Sequence, residues 1–490
     1  MSTLAVRHEI FRKSGLTLML IGAMIAMGWV FVEKGPMLVM LGVAFPILMI
    51  FILTLFKNPQ LGYWILFVLN YFVLGIARYL SAPLGLAIDS LLLLSHLGIF
   101  IRYFYDKEIY RKAKSDLMLL AGIWYLYALF QLVNPEAVSR VAWFYAMRGV
   151  ALHMALVIPL IMIMMDNEKD LDRIFKVLSV LAVLGVLKGM QQKFLGCDPW
   201  EQRWLDNGGA LTHVLFGKLR VFSFFSDAGQ YGAHMGHMGV VFSILAMNAP
   251  TRKKKIIFTI VAILTFYGML ISGTRGAMAV PIAGFTLYII LQKNIRMMVA
   301  GGTVGLIFYI FIFHTTIGQS NYDIARLRTA FDKDNPSLQV RLENQKKLKV
   351  YMKTRPFGGG IGSSGNWGQR FTPNTFLANT PTDSWYVMIW AEQGVVGLYL
   401  HLFILFYIII KSSYRIMFVI KDPWLNARLQ ALAAGMLGIM AASYGNGVLG
   451  QMPSGIIIYT SMAYMFLGPR LDEKIRKKTE KNENLIEEKK

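Results

Sequence analysis

The residues best placed to do chemistry fall in one stretch, 315–398. Its loop, 315–383, carries ten Lys and Arg residues, Arg341 and Arg355 among them, against five acidic ones, a net charge of +5. A loop of that charge suits an anionic substrate, and it equally suits a solvated segment resting on anionic lipid headgroups. Beyond Arg355-Pro356 runs Phe357-Gly358-Gly359-Gly360-Ile361-Gly362-Ser363-Ser364-Gly365. The string has the outline of a dinucleotide fingerprint, but no strand precedes it. A turn is expected, whether plain or one that brings backbone amides close to a phosphate. Asp383 follows Pro381-Thr382 and precedes an apolar run, the place of a helix cap. Glu392 lies roughly 13 Å along that helix, where an ionisable group is costly and often functional.

Two further sets stand apart. His234 and His237 share a helical face at a spacing of three, with only Asp227 near them, a poor set for a metal. Asp89 and Lys188 are charges inside apolar segments and are expected to pair with each other.

The elements that must hold these residues are membrane helices. The chain of 490 residues is 55% hydrophobic and 16% charged, with a mean hydropathy of +0.49. Such values exclude a large soluble enzyme. Segments of roughly 20 apolar residues recur to give about fourteen spans, among them 148–165, 385–410 and 428–448, an all-α polytopic bundle. Residues 16–32 read as an uncleaved first helix, because another span follows at once.

Basic residues cluster in alternate connections, as at Arg252-Lys253-Lys254-Lys255, while Arg140 with Arg148 and Arg275 sit in sparser ones; Arg428 falls on the richer side. The asymmetry puts both termini in the cytoplasm and the 315–383 loop outside, and it explains much of the net +22 without nucleic acid. Cys197 is the single cysteine, so no internal disulfide forms. Asn335-Pro336 starts a helix that Pro356 stops, lying across the mouth of the bundle. The expected organisation is N-terminal spans in 1–227, a core region 228–468 and a charged cytoplasmic tail 469–490.

Asp383-Ser384, followed nine residues later by Gly394-Val395-Val396-Gly397, resembles the signature of the O-antigen ligase and polymerase family. Ser272-Gly273-Thr274-Arg275-Gly276 is similar to that family's Ser-x-x-Arg-Gly turn between two spans. Arg341, ahead of Arg355-Pro356-Phe357-Gly358, resembles the arginine that precedes its Pro-x-x-Gly stretch. Arg220 with Phe224, Ser226 and Asp227 is similar to a weaker element. The likeness covers about 220–398 by motif.

The resemblance implies a glycosyltransferase that moves glycan from an undecaprenyl-diphosphate carrier to an acceptor hydroxyl at the outer face of the inner membrane. Arginine forks suit diphosphate oxygens, so Arg220, Arg275 and Arg341 are the expected anion ligands, with Arg355 beside them. Asp383 becomes the candidate general base, with Glu392 orienting an arginine. The reaction would be inverting and need no metal or other cofactor. The acceptor would be a glycan or lipid A, and a chain-length regulator is a candidate partner. Ligases carry histidine where this chain has Asp383, which leans the reading towards a polymerase. A transporter or flippase of lipid-linked glycan is the rival; it would be expected to show internal repeats or broken helices with midplane charges.

Overall fold

The computed structural model describes residues 36–80, 82, 84–215, 217–319, 328 and 336–488. The first helix expected at 16–32 and the Asn335 cap lie outside these residues. In chain order the helices are α1 (Pro36–Lys57), α2 (Pro59–Ile76), α3 (Gly85–Arg102), α4 (Lys107–Arg111), α5 (Asp116–Phe130), α6 (Arg140–Met147), α7 (His153–Met164), α8 (Glu168–Phe194), α9 (Pro199–Trp204) and α10 (Ala210–His213). There follow α11 (Ala228–Met247), α12 (Arg252–Ile271), α13 (Ala279–Leu291), α14 (Ile295–His314), α15 (Pro336–Tyr351), α16 (Gly365–Phe371), α17 (Trp385–Phe418), α18 (Pro423–Ala442) and α19 (Ser454–Glu487). Strands β1 (Val214–Leu215) and β2 (Lys218–Leu219) form a minimal antiparallel hairpin, Val214 opposite Leu219. Among the described residues, eight helical segments are long and apolar enough to cross a membrane. The protein is an all-α polytopic membrane protein.

α11 is the inner post. Nearly all of its side chains are buried, and its glycines let neighbours in. A Cβ on Gly236 would lie 2.9 Å from Met269 Sδ of α12 and 3.3 Å from Val280 of α13. Small residues at such spacing allow helix backbones to approach closely where lipid offers no hydrophobic drive. Asp227 caps α11 by accepting from Gln230 N at 2.9 Å. α18 packs on both α11 and α13, and α19 on α7.

Three expectations need correction. Asp89 and Lys188 do not meet. Asp89 is held by Arg148 (2.5 Å) and His153 (2.8 Å), while Lys188 is held by Asp198 (3.0 Å) and Glu201 (3.1 Å). Arg148 accordingly belongs inside a span. Ser139 caps α6, accepting from Ala142 N, and α6 runs through a π-turn, Arg148–Leu152, into α7. Arg428 likewise sits inside α18, fully buried, with Asp172 2.8 Å away. In each case a partner carboxylate lets a helix keep a charge that hydropathy assigns to a loop.

Candidate functional site

At one end of the bundle the turn between α18 and α19, residues 443–452, collects the polar groups. The first turn of α17 is fastened to it: Trp385 N donates to Ser443 O (3.0 Å) and Ser384 Oγ to the same carbonyl (3.2 Å). Ser384 also caps α17, its hydroxyl 3.5 Å from Val387 N. The capping role expected of Asp383 therefore belongs to its neighbour. Asp383 instead holds φ +52°, a left-handed conformation that residues other than glycine seldom adopt. Its carboxylate faces Arg341, with Nε 3.8 Å from Oδ2 and both side chains partly exposed.

Arg341 gets there by helix docking. Along α15 and the turn that follows it, the buried positions Asn344, Leu348 and Met352 recur at helical spacing, and Leu348 packs with Leu377 and with Ala391 of α17. Arg341, three residues before Asn344, continues that face. A Cβ on Gly445 would lie 3.7 Å from Arg341 Nη1, so the guanidinium borders the 443–452 turn.

The Ser272–Gly276 motif reaches the same turn from the other side. Ser272 Oγ donates to Met269 O (2.7 Å) and accepts from Thr274 N (3.1 Å), which tightens the turn. Thr274 Oγ1 donates to Ala228 O at 2.8 Å and accepts from Arg220 Nη2 at 3.1 Å. Arg220 follows the β1–β2 hairpin and is set by its own N–H on His213 O (2.8 Å). Arg275 is half-buried in this turn. Gly276 abuts the Asn446 carboxamide, since a Cβ there would lie 2.7 Å from Asn446 Nδ2. Gly445 thus borders Arg341, and the next residue, Asn446, borders Gly276, which follows Arg275 in the Ser272–Gly276 turn. Ser226 Oγ donates to Asp227 Oδ2 (2.7 Å) and lies 3.2 Å from Gln451 Oε1, closing the wall.

Glu392 and the glycine string form the support. The helix α17 breaks at Gly394, which takes φ +71°; a Cβ there would overlap the Pro356 carbonyl. Three carbonyls beside the break are taken by the chain. Gly359 N donates to Ala391 O (2.9 Å), Gly360 N to Glu392 O (2.8 Å) and Tyr127 OH to Gln393 O (2.8 Å). The Glu392 carboxylate accepts from Ser364 N (3.1 Å) and Ser364 Oγ (2.7 Å). It pins the glycine turn and does not orient an arginine. Asn134 Nδ2 donates to Phe357 O (3.1 Å) and Gly358 O (3.2 Å) from the α5–α6 connection. Arg355 is drawn to Glu136, 2.9 Å away, and to its own Tyr351 carbonyl. The Glu136 carboxylate raises its pKa above the ordinary guanidinium value.

The residues that sequence reasoning missed are Asn446 and Gln451, together with the loop-holding Tyr127, Gln131 and Asn134. Only Gly445-Asn446-Gly447 offered a signal, a polar break at the end of an apolar run. His234 is buried beside Tyr71 and Phe225, and its ring lies 6.1 Å from that of His237, also buried.

A helical bundle of membrane spans, with arginines and the carboxylates of Asp383 and Asp227 gathered at one end, defines an integral membrane protein with a polar site at that face. Residues 260–402 match a family model described as O-antigen ligase, a stretch that holds Arg275, Arg341, Asp383 and Glu392. An O-antigen polymerase of Salmonella muenchen is 25% identical over 228 residues, 46% of this chain and 54% of that protein. The chain spans about half the length of the curated relative it matches. Together these make the chain, an integral membrane protein, similar to O-antigen ligases and polymerases over part of its length.

Proposed function

We propose that the protein is an inner-membrane glycosyltransferase that polymerises oligosaccharide repeat units carried on undecaprenyl diphosphate at the periplasmic face. Transfer to a different acceptor, such as lipid A, is a close second. What carries the reading is that consecutive residues 445 and 446 border Arg341, the partner of Asp383, on one side and Gly276, in the turn that Arg220 bonds through Thr274, on the other.

In this reaction the acceptor hydroxyl attacks the anomeric carbon of the donor as its proton passes to the Asp383 carboxylate. The bond from that carbon to the diphosphate oxygen breaks, and its electron pair leaves on the diphosphate. Arg220 and Arg275 take up the developing charge. Arg341 fixes the direction of Asp383. Attack opposite the leaving group inverts the anomeric centre. Guanidinium groups supply the neutralisation that a metal supplies elsewhere, so the reaction proceeds without one. The break at Gly394 favours an enzyme over a transporter: three carbonyls beside it are occupied by the chain itself.

The test is to separate surface glycans and the carrier-lipid fraction from cells carrying Arg275→Ala or Asp383→Asn, matched for membrane expression. Loss of long glycan with single repeats persisting supports polymerisation. Long chains accumulating on the carrier would make the protein a ligase. Unchanged fractions in both variants would remove this site from the reaction.

A further inference from the structure

Asn446 sits where two glycines make room for it. A Cβ on Gly276 would lie 2.7 Å from its Nδ2, and a Cβ on Gly229 would lie 3.0 Å from its Oδ1. Neither glycine has a positive φ, so what calls for glycine at these positions is space for the carboxamide. The backbone of Asn446 is anchored, its carbonyl 3.4 Å from Trp385 N. Its side chain is half-buried and has no hydrogen-bond partner among the described residues. A carboxamide whose two ends make no hydrogen bond among the described residues thus lies against the Ser272–Gly276 turn.

The surroundings decide what that ligand is. The arginines already provide donors for an anion. One end of the Asn446 carboxamide lies near Asp227 Oδ1, itself 2.9 Å from the same Gly229 Cβ position. A carboxylate there repels a phosphate and accepts from an O–H or N–H. The other end of the carboxamide faces the Ser272–Gly276 turn. A neutral group that both donates and accepts fits such a pair of ends.

Resting on the diphosphate reading above, we propose that Asn446 is a substrate-binding residue that reads a hydroxyl or acetamido group on the sugar directly attached to the diphosphate. Gly276 then has a role in the Ser272–Gly276 motif: it seats the carboxamide that distinguishes a glycosylated carrier from a bare one.

The experiment uses the full chain in lipid nanodiscs and two probes, undecaprenyl diphosphate alone and the undecaprenyl-diphosphate-linked repeat unit extracted from the parent strain. Asn446→Ala is expected to weaken binding of the repeat unit about tenfold, the scale of one or two lost hydrogen bonds, and to leave the bare carrier unchanged. Gly276→Ala, which displaces the carboxamide, is expected to give the same pattern, and the double variant to add nothing. Arg275→Ala weakens both probes if the diphosphate reading holds. If Arg275→Ala alters neither probe, that reading fails. If Arg275→Ala weakens both while Asn446→Ala weakens both equally or neither, the sugar-reading role is overturned by itself. Unfolding midpoints of each variant, matched to the parent, separate recognition from folding.

Discussion

Asp383 and Ser384 are adjacent but have separate duties. Ser384 caps α17, whereas Asp383 is held at φ +52° with its carboxylate toward Arg341. A non-glycine residue kept in that conformation is strained by about 1–3 kcal/mol, and here it accompanies a carboxylate turned toward Arg341. Asp383→Asn is expected to leave the unfolding midpoint near the parent value and to cut glycan transfer by about 10²–10⁴, the contribution typical of a general base. Ser384→Ala is expected to do the reverse, costing about 0.5–2 kcal/mol of stability with much smaller loss of transfer. Equal loss of transfer in the two variants, tracking stability, would assign Asp383 to structure alone.

The broken helix α17 is the element on which the site depends. Its outer segment carries the cap and the Asp383 junction; below Gly394 the helix continues to Phe418. The glycine turn plugs the break through Gly359 and Gly360 and is clamped by the Glu392 carboxylate on Ser364. Gly394→Ala must push the Pro356 carbonyl away while taking a positive φ, so loss of folded protein is expected. Glu392→Gln keeps shape but exchanges one of the two carboxyl oxygens beside Ser364 for an amide donor. Membrane-inserted protein with faster proteolysis at 357–365 and reduced transfer is the expected result. Unchanged cleavage there would show that the backbone bonds suffice. The Gly-x-x-Gly spacing was legible in the sequence, but its purpose was not. Close packing of helices and a helix break ask for the same residue, and only the partner chain segment tells them apart.

Across the whole molecule, charge pairs join distant segments. The 196–227 segment is tied to α8 by Lys188 on Asp198 and Glu201, and to the end of α2 by Tyr79 on Asp198 (2.5 Å). Arg78 adds to this by donating to Ser223 O (2.7 Å) and to Phe225 O while lying over Trp204 and Phe222. Partial burial works against the Asp198 charge, but the Glu201 backbone N–H, the Tyr79 hydroxyl and the Lys188 ammonium outweigh it and lower its pKa to about 2. A depressed carboxyl pKa stabilises the fold above the ordinary Asp value of about 3.9, and that contribution fades as pH falls through the folded value. Hydrogen exchange across 199–227 is therefore expected to stay slow at pH 5 and to rise between about pH 4 and pH 2. In Asp198→Ala it should be fast at every pH. An acid response identical in the parent and the variant would place the sensitive group elsewhere. Because this segment delivers Arg220 to Thr274, its loosening should weaken transfer as well.

Apolar runs of membrane length, the polar string after Pro356 and the arginine motifs were readable without coordinates, because hydropathy and local turn chemistry are properties of short windows. Those features determined the helical membrane class and picked out Arg220, Arg275, Arg341 and Asp383. Partnerships between distant windows were decided by tertiary structure. Asp89 chose Arg148 and His153 over Lys188, Glu392 chose Ser364 over an arginine, and Arg355 turned to Glu136. Asn446 entered the site because α18 ends where the Arg275 turn and α17 begin. In each case the energy of a buried polar group depends on which neighbour packing brings within hydrogen-bond distance, and no local pattern encodes that neighbour.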